Sequence, residues 1–474
     1  MEKENKENNT EINNNIVAII GGGIAGILAM KYCKENNLNY DLFEIKSQLN
    51  GLWGKEGLVW ETMTTNVSKY CHQLRDFSFG EEPPRVATVD EIRDYITRYI
   101  EKYNLTDESQ GNKIHLNTKV LSVKVNDESK LNKEYEIEYC ENIDSCNEHS
   151  KLANNYKNNI EVPVQTNSVS KRKYSKVIVA TGCNNSFSIP KVEGIENFKG
   201  EILHSGQFIS PEYYKNKRVL VVGFSFSGAN IAESISMAKS KEDPPVYISC
   251  NQPSFIIPSS RKDGEKSVCS ETLAFKRKTD VKESQYFLTK EAVEKKIATM
   301  RGLLTLATLS YSFTVPELSR MKKYYGDEIL DSNKVKERND KIRVSFATYL
   351  VDLVKEKKVL VNGSIIRITE EGKVALKKEI KKKDDEVKED VVEFDVIFFC
   401  TGYRNSLKFL DERILKSISY DYNDGVHPLV LYKGIYNNEF PNLLFTNMIA
   451  GIFWTGTELQ AKYCAELFSG KILQ

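Results

Sequence analysis

The sequence predicts an α/β protein built from two doubly wound, Rossmann-like dinucleotide-binding units, the second inserted in the first. Three observations predict it. Two apolar runs, at 16–20 and 218–222, each lead into a glycine-containing turn and then a helix-compatible segment. Two later runs, at 177–182 and 395–402, each end in Thr-Gly. The runs are continuously apolar rather than alternating, as expected of parallel strands covered on both faces. Their order along the chain is that of two βαβ units, one nested in the other. The expected boundaries are 15–189 and 401–474 for the outer unit and 190–400 for the inner one.

Composition narrows the function classes. The chain has 474 residues, 40% hydrophobic and 28% charged, enough for two or three ordinary cores. Lys and Arg number 67 against 66 Asp and Glu, so no net field draws nucleic acid or anionic lipid. No run of about twenty apolar residues offers a membrane span. The polar start of the chain lacks a secretory pattern, so a cytoplasmic protein is expected. Nine cysteines contain no C-x-x-C pair, which removes thioredoxin-like and zinc-ribbon chemistry; no metal site is expected. Residues 1–14 read as a disordered tail, and 126–173 as a loop-rich polar hairpin insertion with two short strand-like runs, 135–139 and 160–164. The nearly all-charged stretch 377–390 reads as a solvated turn between strands. Residues 263–345 carry no motif and are assigned to a substrate-access insertion.

The first fingerprint is Gly21-Gly22-Gly23-Ile24-Ala25-Gly26, which fits G-x-G-x-x-G between a strand and a helix. Gly21 permits a tight turn, Gly23 lets backbone N–H groups approach a pyrophosphate, and Gly26 lets the helix pack on its strand. The anion then lies at a helix N-terminus, where free N–H groups and the dipole favour it. The next strand-like run ends in Glu44, an acid placed to accept hydrogen bonds from a ribose diol.

The second fingerprint, Gly223-Phe224-Ser225-Phe226-Ser227-Gly228, has serine where the middle glycine belongs. Its following strand, 246–250, leads to Asn251 and Gln252. An acid there would bind a 2′-hydroxyl and an arginine a 2′-phosphate, and neither is present. Arg261 and Lys262 lie a few residues further on.

Between the fingerprints runs Phe198-Lys199-Gly200-Glu201-Ile202-Leu203-His204-Ser205-Gly206-Gln207-Phe208. This resembles the F-x-G-x-x-x-H-x-x-x-(Y/F) signature of flavin-containing monooxygenases. Asn50-Gly51-Leu52-Trp53-Gly54, Thr65-Asn66-Val67-Ser68-Lys69, Cys400-Thr401-Gly402-Tyr403 and Glu458-Leu459-Gln460-Ala461 follow that family's order. The resemblance implies FAD in the outer unit and NADPH, or NADH, in the inner one. It also implies a flavin C4a-hydroperoxide, formed from O2, that oxygenates a soft nitrogen or sulfur nucleophile such as an amine or thioether.

Residue by residue, the resemblance sets FAD against Gly21 to Gly26, Glu44, Leu52, Trp53, Asn66, Val120 and Gln460. The nicotinamide cofactor falls against Gly223, Ser225, Phe226, Ser227, Gly228, Asn230 and Gln252. Asn66 matches the family's active-site asparagine; the alternative is that Thr65-Asn66 caps a short helix. His204 is the signature histidine, expected to act structurally at the junction of the units rather than as an acid or base. Ser225 and the segment 428–434 look more like the bacterial trimethylamine-oxidising members than the animal liver type. A Baeyer–Villiger enzyme would end the signature in Trp where Phe208 stands. A flavoprotein without nicotinamide chemistry, acting as an interaction module, is the other alternative. The substrate and the oligomeric state, for which a homodimer is one arrangement, are not legible.

Overall fold

The computed structural model describes residues 16–80, 86–126, 133–141, 169–251, 255–257, 260–263, 266–269, 344–378, 388–423, 429–448 and 454–472. The tail 1–14, Gln252, and most of 126–173 and 263–345 lie outside them.

Val17, Ala18 and Ile19 have no exposed surface, and their strand β1 (Ile16–Ile20) lies at the centre of a parallel sheet. Full burial of a Val or Ile side chain stabilises by about 1.5–3 kcal/mol, which places such a run inside rather than at an edge. On one side β1 pairs with β2 (Asn39–Phe43), Ile16 opposite Asn39 and Ile20 opposite Phe43. On the other it pairs with the closing strand Lys176–Val179. Lys113–His115 extends the sheet beyond β2, and Leu443–Phe445 extends it beyond the closing strand. The last of these comes from the chain's return after the inner unit.

The second sheet repeats the layout. Its order is Glu201–His204, Val396–Phe399, Val219–Val222, Val246–Ser249 and Val359–Asn362, all parallel. In both sheets the closing strand lies beside the opening one. The fold is therefore two doubly wound units, the second inserted in the first.

Helix α1 (Ile24–Glu35) is buried from Ile24 to Cys33 because it lies between the first sheet and the helix Trp454–Phe468. A helix apolar all round is a core helix. The sheet's other face is covered by a three-stranded antiparallel meander, Lys119–Asn126, Glu134–Cys140 and Val169–Tyr174. Within the insertion expected at 126–173, the strand-like run at 135–139 is a strand. Residues 135–139 form the meander's central strand, with Tyr135, Ile137 and Tyr139 buried against Ala18, Ile20 and Phe43. Alternation in Glu-Tyr-Glu-Ile-Glu-Tyr faces one side to the core and the other to cross-strand lysines. Residues 160–164 fall outside the described part.

Candidate functional site

The two glycine turns have nearly the same geometry. Gly21 and Gly223 take φ +106° and +108°, and a β-carbon on either would strike the carbonyl that ends the neighbouring strand: 2.6 Å from Ala180 O and 2.5 Å from Cys400 O. The third glycines match too, since a β-carbon on Gly26 would lie 1.9 Å from Gly21 O and one on Gly228 2.1 Å from Gly223 O. These four positions are closed by backbone, which no side-chain rotation relieves.

The middle position differs. A β-carbon on Gly23 would meet only Gly51 Cα, at an ordinary 3.6 Å. Gly23 stands at the N-cap of α1, whose first turn has no side-chain cap. Space and free N–H groups are both available there for an anion. This explains how Ser225 is accommodated at the N-cap of the helix Phe226–Ala238. Its φ is −111°, ordinary extended backbone, and its hydroxyl makes no capping bond.

Glu44 follows β2 and is buried. Gly22 N–H donates to its Oε2 at 2.5 Å and Lys46 N–H to its Oε1 at 2.9 Å. Each carboxylate oxygen keeps a further lone pair, enough for a ribose diol. Burial pushes the Glu44 carboxyl up, against the pull of those two N–H groups and the Lys46 ammonium. Lys46 was not singled out in the sequence. Its buried ammonium donates to Gly51 O at 2.9 Å and so ties the Glu44 strand end to the loop over the glycine turn. Gly51 is held so close that a β-carbon there would lie 2.6 Å from Gly23 Cα. Glycine turn, uncapped helix and buried acid form a cradle that fits a dinucleotide such as FAD.

Around the cradle, Leu52 is 43% exposed while Trp53 is buried. The Trp53 ring meets His72 edge-on at 6.1 Å, and His72 meets Trp454 at 5.2 Å. Arg93, which no motif marks, donates to Trp53 O at 2.6 Å and fixes the loop from helix Val89–Lys102. Asn66 is half-buried on the strand Thr64–Ser68, and Thr65 Oγ1 accepts from Ala87 N–H at 2.9 Å across the pair. The helix-cap alternative therefore does not hold at Thr65-Asn66. Val120 is half-buried beside the meander core, two residues after Thr118, whose N–H donates to Glu44 O at 2.8 Å. The Gln460 amide accepts from Asn447 N–H at 2.9 Å and donates to Gly434 O at 3.3 Å, a backbone brace. Asn230 donates to Phe226 O within its own helix at 2.8 Å.

The signature segment builds scaffold. Phe198 is buried, and a β-carbon on Gly200 would fall 2.2 Å from Asp395 O, so glycine is needed where that strand approaches. Phe208 is buried edge-on to Trp60 at 5.2 Å and stacks on Tyr214 at 5.6 Å. Trp60 belongs to the outer unit's stretch of chain, yet it packs in the inner unit's core.

His204 has no exposed surface. Its Nε2 lies 2.9 Å from Gly402 O, while its Nδ1 accepts from Gly206 N–H at 3.2 Å. A carbonyl can only accept, so Nε2 carries the proton and the ring is neutral. The ring stacks on Phe187 at 4.2 Å and meets Tyr403 edge-on at 4.8 Å, and those two residues pair across a short antiparallel bridge. Burial pushes the imidazole down from 6.5 to about 4. The unfolded chain thus binds its proton first as pH falls. The stability present above about 6.5 is lost progressively towards pH 4, by roughly 3 kcal/mol in all. His204→Gln, which keeps a donor for Gly402 but cannot titrate there, is expected to flatten that part of a denaturant-measured stability profile. An unchanged slope would place the acid sensitivity elsewhere.

A family model for flavin-binding monooxygenase-like proteins (FMO-like) matches residues 14–144 and 130–297. The chain belongs to this family. Membership makes it a flavin-dependent monooxygenase, and FAD and NADPH are the family's cofactors. Mouse (Mus musculus) N-oxide-forming dimethylaniline monooxygenase 4 is 24% identical over 475 residues, covering 96% of this chain and 70% of that protein. Among solved structures, Tmm from Pelagibacter sp. strain HTCC7211 aligns with a TM-score of 0.58 at 18% identity, over 97% of this chain and 77% of that one. Cyclohexanone monooxygenase aligns with a TM-score of 0.59 at 15% identity, over 97% and 88%. The two structural likenesses show the fold. No helix among the described residues is long and apolar enough to cross a membrane.

Proposed function

We propose that this FMO-like protein uses NADPH to drive oxygenation of a soft nitrogen or sulfur centre on a small molecule. The observation that carries the reading is the pair of matched glycine turns, each at the mouth of its own parallel sheet in one chain. One turn serves the flavin dinucleotide, in the unit formed by 15–189 and 401–474. The other serves the nicotinamide dinucleotide, in the unit formed by 190–400.

Bound FAD, once reduced, supplies the activation of O2. The chain's own residues do the rest. The Gly21–Gly26 turn and the N-terminus of α1 hold the pyrophosphate, and Glu44 accepts the ribose hydroxyls. Trp53, whose ring meets His72 and through it Trp454, would help exclude water at the reacting end. Asn66 presents its amide there as a neutral hydrogen-bonding group. Ser225 would lie beside the pyrophosphate of NADPH, where its free hydroxyl would donate to a phosphate oxygen while its β-carbon partly crowds the approach. Within the family we place this chain nearer the bacterial trimethylamine-oxidising members than the animal liver type, on Ser225 and the segment 428–434.

Baeyer–Villiger oxygenation is the second reading, because cyclohexanone monooxygenase has the same fold. Phe208 disfavours it, standing where that signature carries Trp. A panel of tertiary amines, thioethers and cyclic ketones separates the two, with NADPH consumed, product formed and H2O2 released all counted. N-oxide or sulfoxide in near-stoichiometric yield is expected. Ester from the ketones alone would sink the proposal.

A further inference from the structure

The two glycine turns share most of their backbone bonds. Gly21 N–H donates to Phe43 O and Gly223 N–H to Ser249 O, both at 2.8 Å. Gly23 O accepts from Ile27 N–H and Ser225 O from Ala229 N–H, both at 2.9 Å. The carbonyl one place earlier is held differently. In the first turn Gly22 O accepts from a backbone group, Asn50 N–H at 3.1 Å. In the second the equivalent Phe224 O accepts from a side chain, the Ser345 hydroxyl at 3.3 Å, 121 positions further along the chain.

Ser345 has no exposed surface and lies in the strand Val344–Phe346, opposite Ile256 of a parallel pair. The backbone just after it is tied to the helix that the second turn opens. On that helix, Phe226–Ala238, the Glu233 carboxylate accepts from Thr348 N–H and from Leu350 N–H, each at 3.2 Å. Ala347 and Leu350 are buried in the inner unit's core. The hydroxyl therefore reaches Phe224 O from a fixed base.

What the bond fixes is a peptide plane. The C=O of Phe224 and the N–H of Ser225 belong to one planar trans peptide and point opposite ways. Holding the carbonyl from one side aims that N–H to the other. The N–H belongs to the start of the helix, where such groups have no partner within the helix and can meet an anion.

We propose that Ser345 is a positioning residue for the nicotinamide dinucleotide, its hydroxyl aiming the Ser225 N–H at the pyrophosphate through the Phe224 carbonyl. The inference rests on the reading that the second turn takes that cofactor. The FAD-loaded protein is mixed anaerobically with increasing NADPH, which gives a Kd and a limiting rate of flavin bleaching. ADP-ribose, which shares the pyrophosphate but lacks the nicotinamide, is titrated as a competitor. In Ser345→Ala the Kd for NADPH is expected to rise roughly 3- to 10-fold, the loss of one hydrogen bond. ADP-ribose should weaken by the same factor, while FAD retention and the limiting rate stay at wild-type values. Glu233→Gln keeps Ser345 but leaves one of the two N–H groups without its acceptor, and it is expected to move both ligands the same way. An unchanged Kd in Ser345→Ala would overturn the proposal, leaving the hydroxyl as a partner for a buried carbonyl only. A rise for NADPH but not for ADP-ribose would overturn it too, because the effect would then lie at the nicotinamide end. Wild-type flavin that neither NADPH nor NADH bleaches would instead sink the functional reading beneath it.

Discussion

Gly26→Ala is expected to leave no flavin-retaining protein and to destabilise the outer unit by about 3 kcal/mol or more. The new methyl would lie 1.9 Å from Gly21 O, a backbone atom held in turn by the close approach of Gly21 to Ala180. Helix and strand would have to separate, and α1 packs between the first sheet and the helix Trp454–Phe468. Gly23→Ala gives the contrast. Its methyl would stand at an ordinary 3.6 Å from Gly51 Cα, so the apoprotein is expected to melt where wild type does. The same methyl intrudes where the pyrophosphate must approach, and FAD affinity should fall at least tenfold. Thermal melts of both apoproteins, followed by flavin titration, check the pair. If Gly23→Ala bound FAD as wild type does, the pyrophosphate would not lie at this turn.

Asn66→Ala is expected to keep FAD and its reduction by NADPH while oxygenated product falls about 100-fold, with H2O2 released instead. A positioned polar donor at a reacting oxygen typically contributes about that factor. Asn66 lies on a strand held by Thr65 to Ala87, so its removal should not unfold the site. Product and peroxide yields per NADPH check this. Undiminished product yield would remove Asn66 from the chemistry.

What could be read early was local. Apolar strand, glycine spacing and helix sit within twenty residues at 16–35, and the turn geometry of Gly21 and Gly26 is a contact between near neighbours. The Thr-Gly closures were legible because a parallel sheet repeats one strand type. Contacts across long separations were not. Gly51 against Gly23 and Arg93 reaching Trp53 O have no spacing signal. The strand Glu134–Cys140 was legible as a short run at 135–139, but its place at the centre of a meander was not, because its partners Lys119–Asn126 and Val169–Tyr174 lie outside that run. Gln460 and Asn230, marked for cofactors by motif position, also bond their amides to the chain's own backbone, which no motif signals.

The middle of the second turn bears on how NADPH is held. Serine fits there because the equivalent place beside Gly23 is open rather than closed by backbone. Discrimination between NADPH and NADH depends on groups around the far ribose, and the sequence places neither an acid nor an arginine at 251–252.

Anaerobic mixing of the purified, FAD-loaded protein with NADPH, then with NADH, tests the central claim most directly. The account predicts that the 450 nm flavin band, about that wavelength in any flavoprotein, bleaches with NADPH and returns on admitting O2 as amine or thioether is oxygenated. A protein that holds FAD yet is bleached by neither nicotinamide would contradict it, and the second glycine turn would then have lost its chemistry.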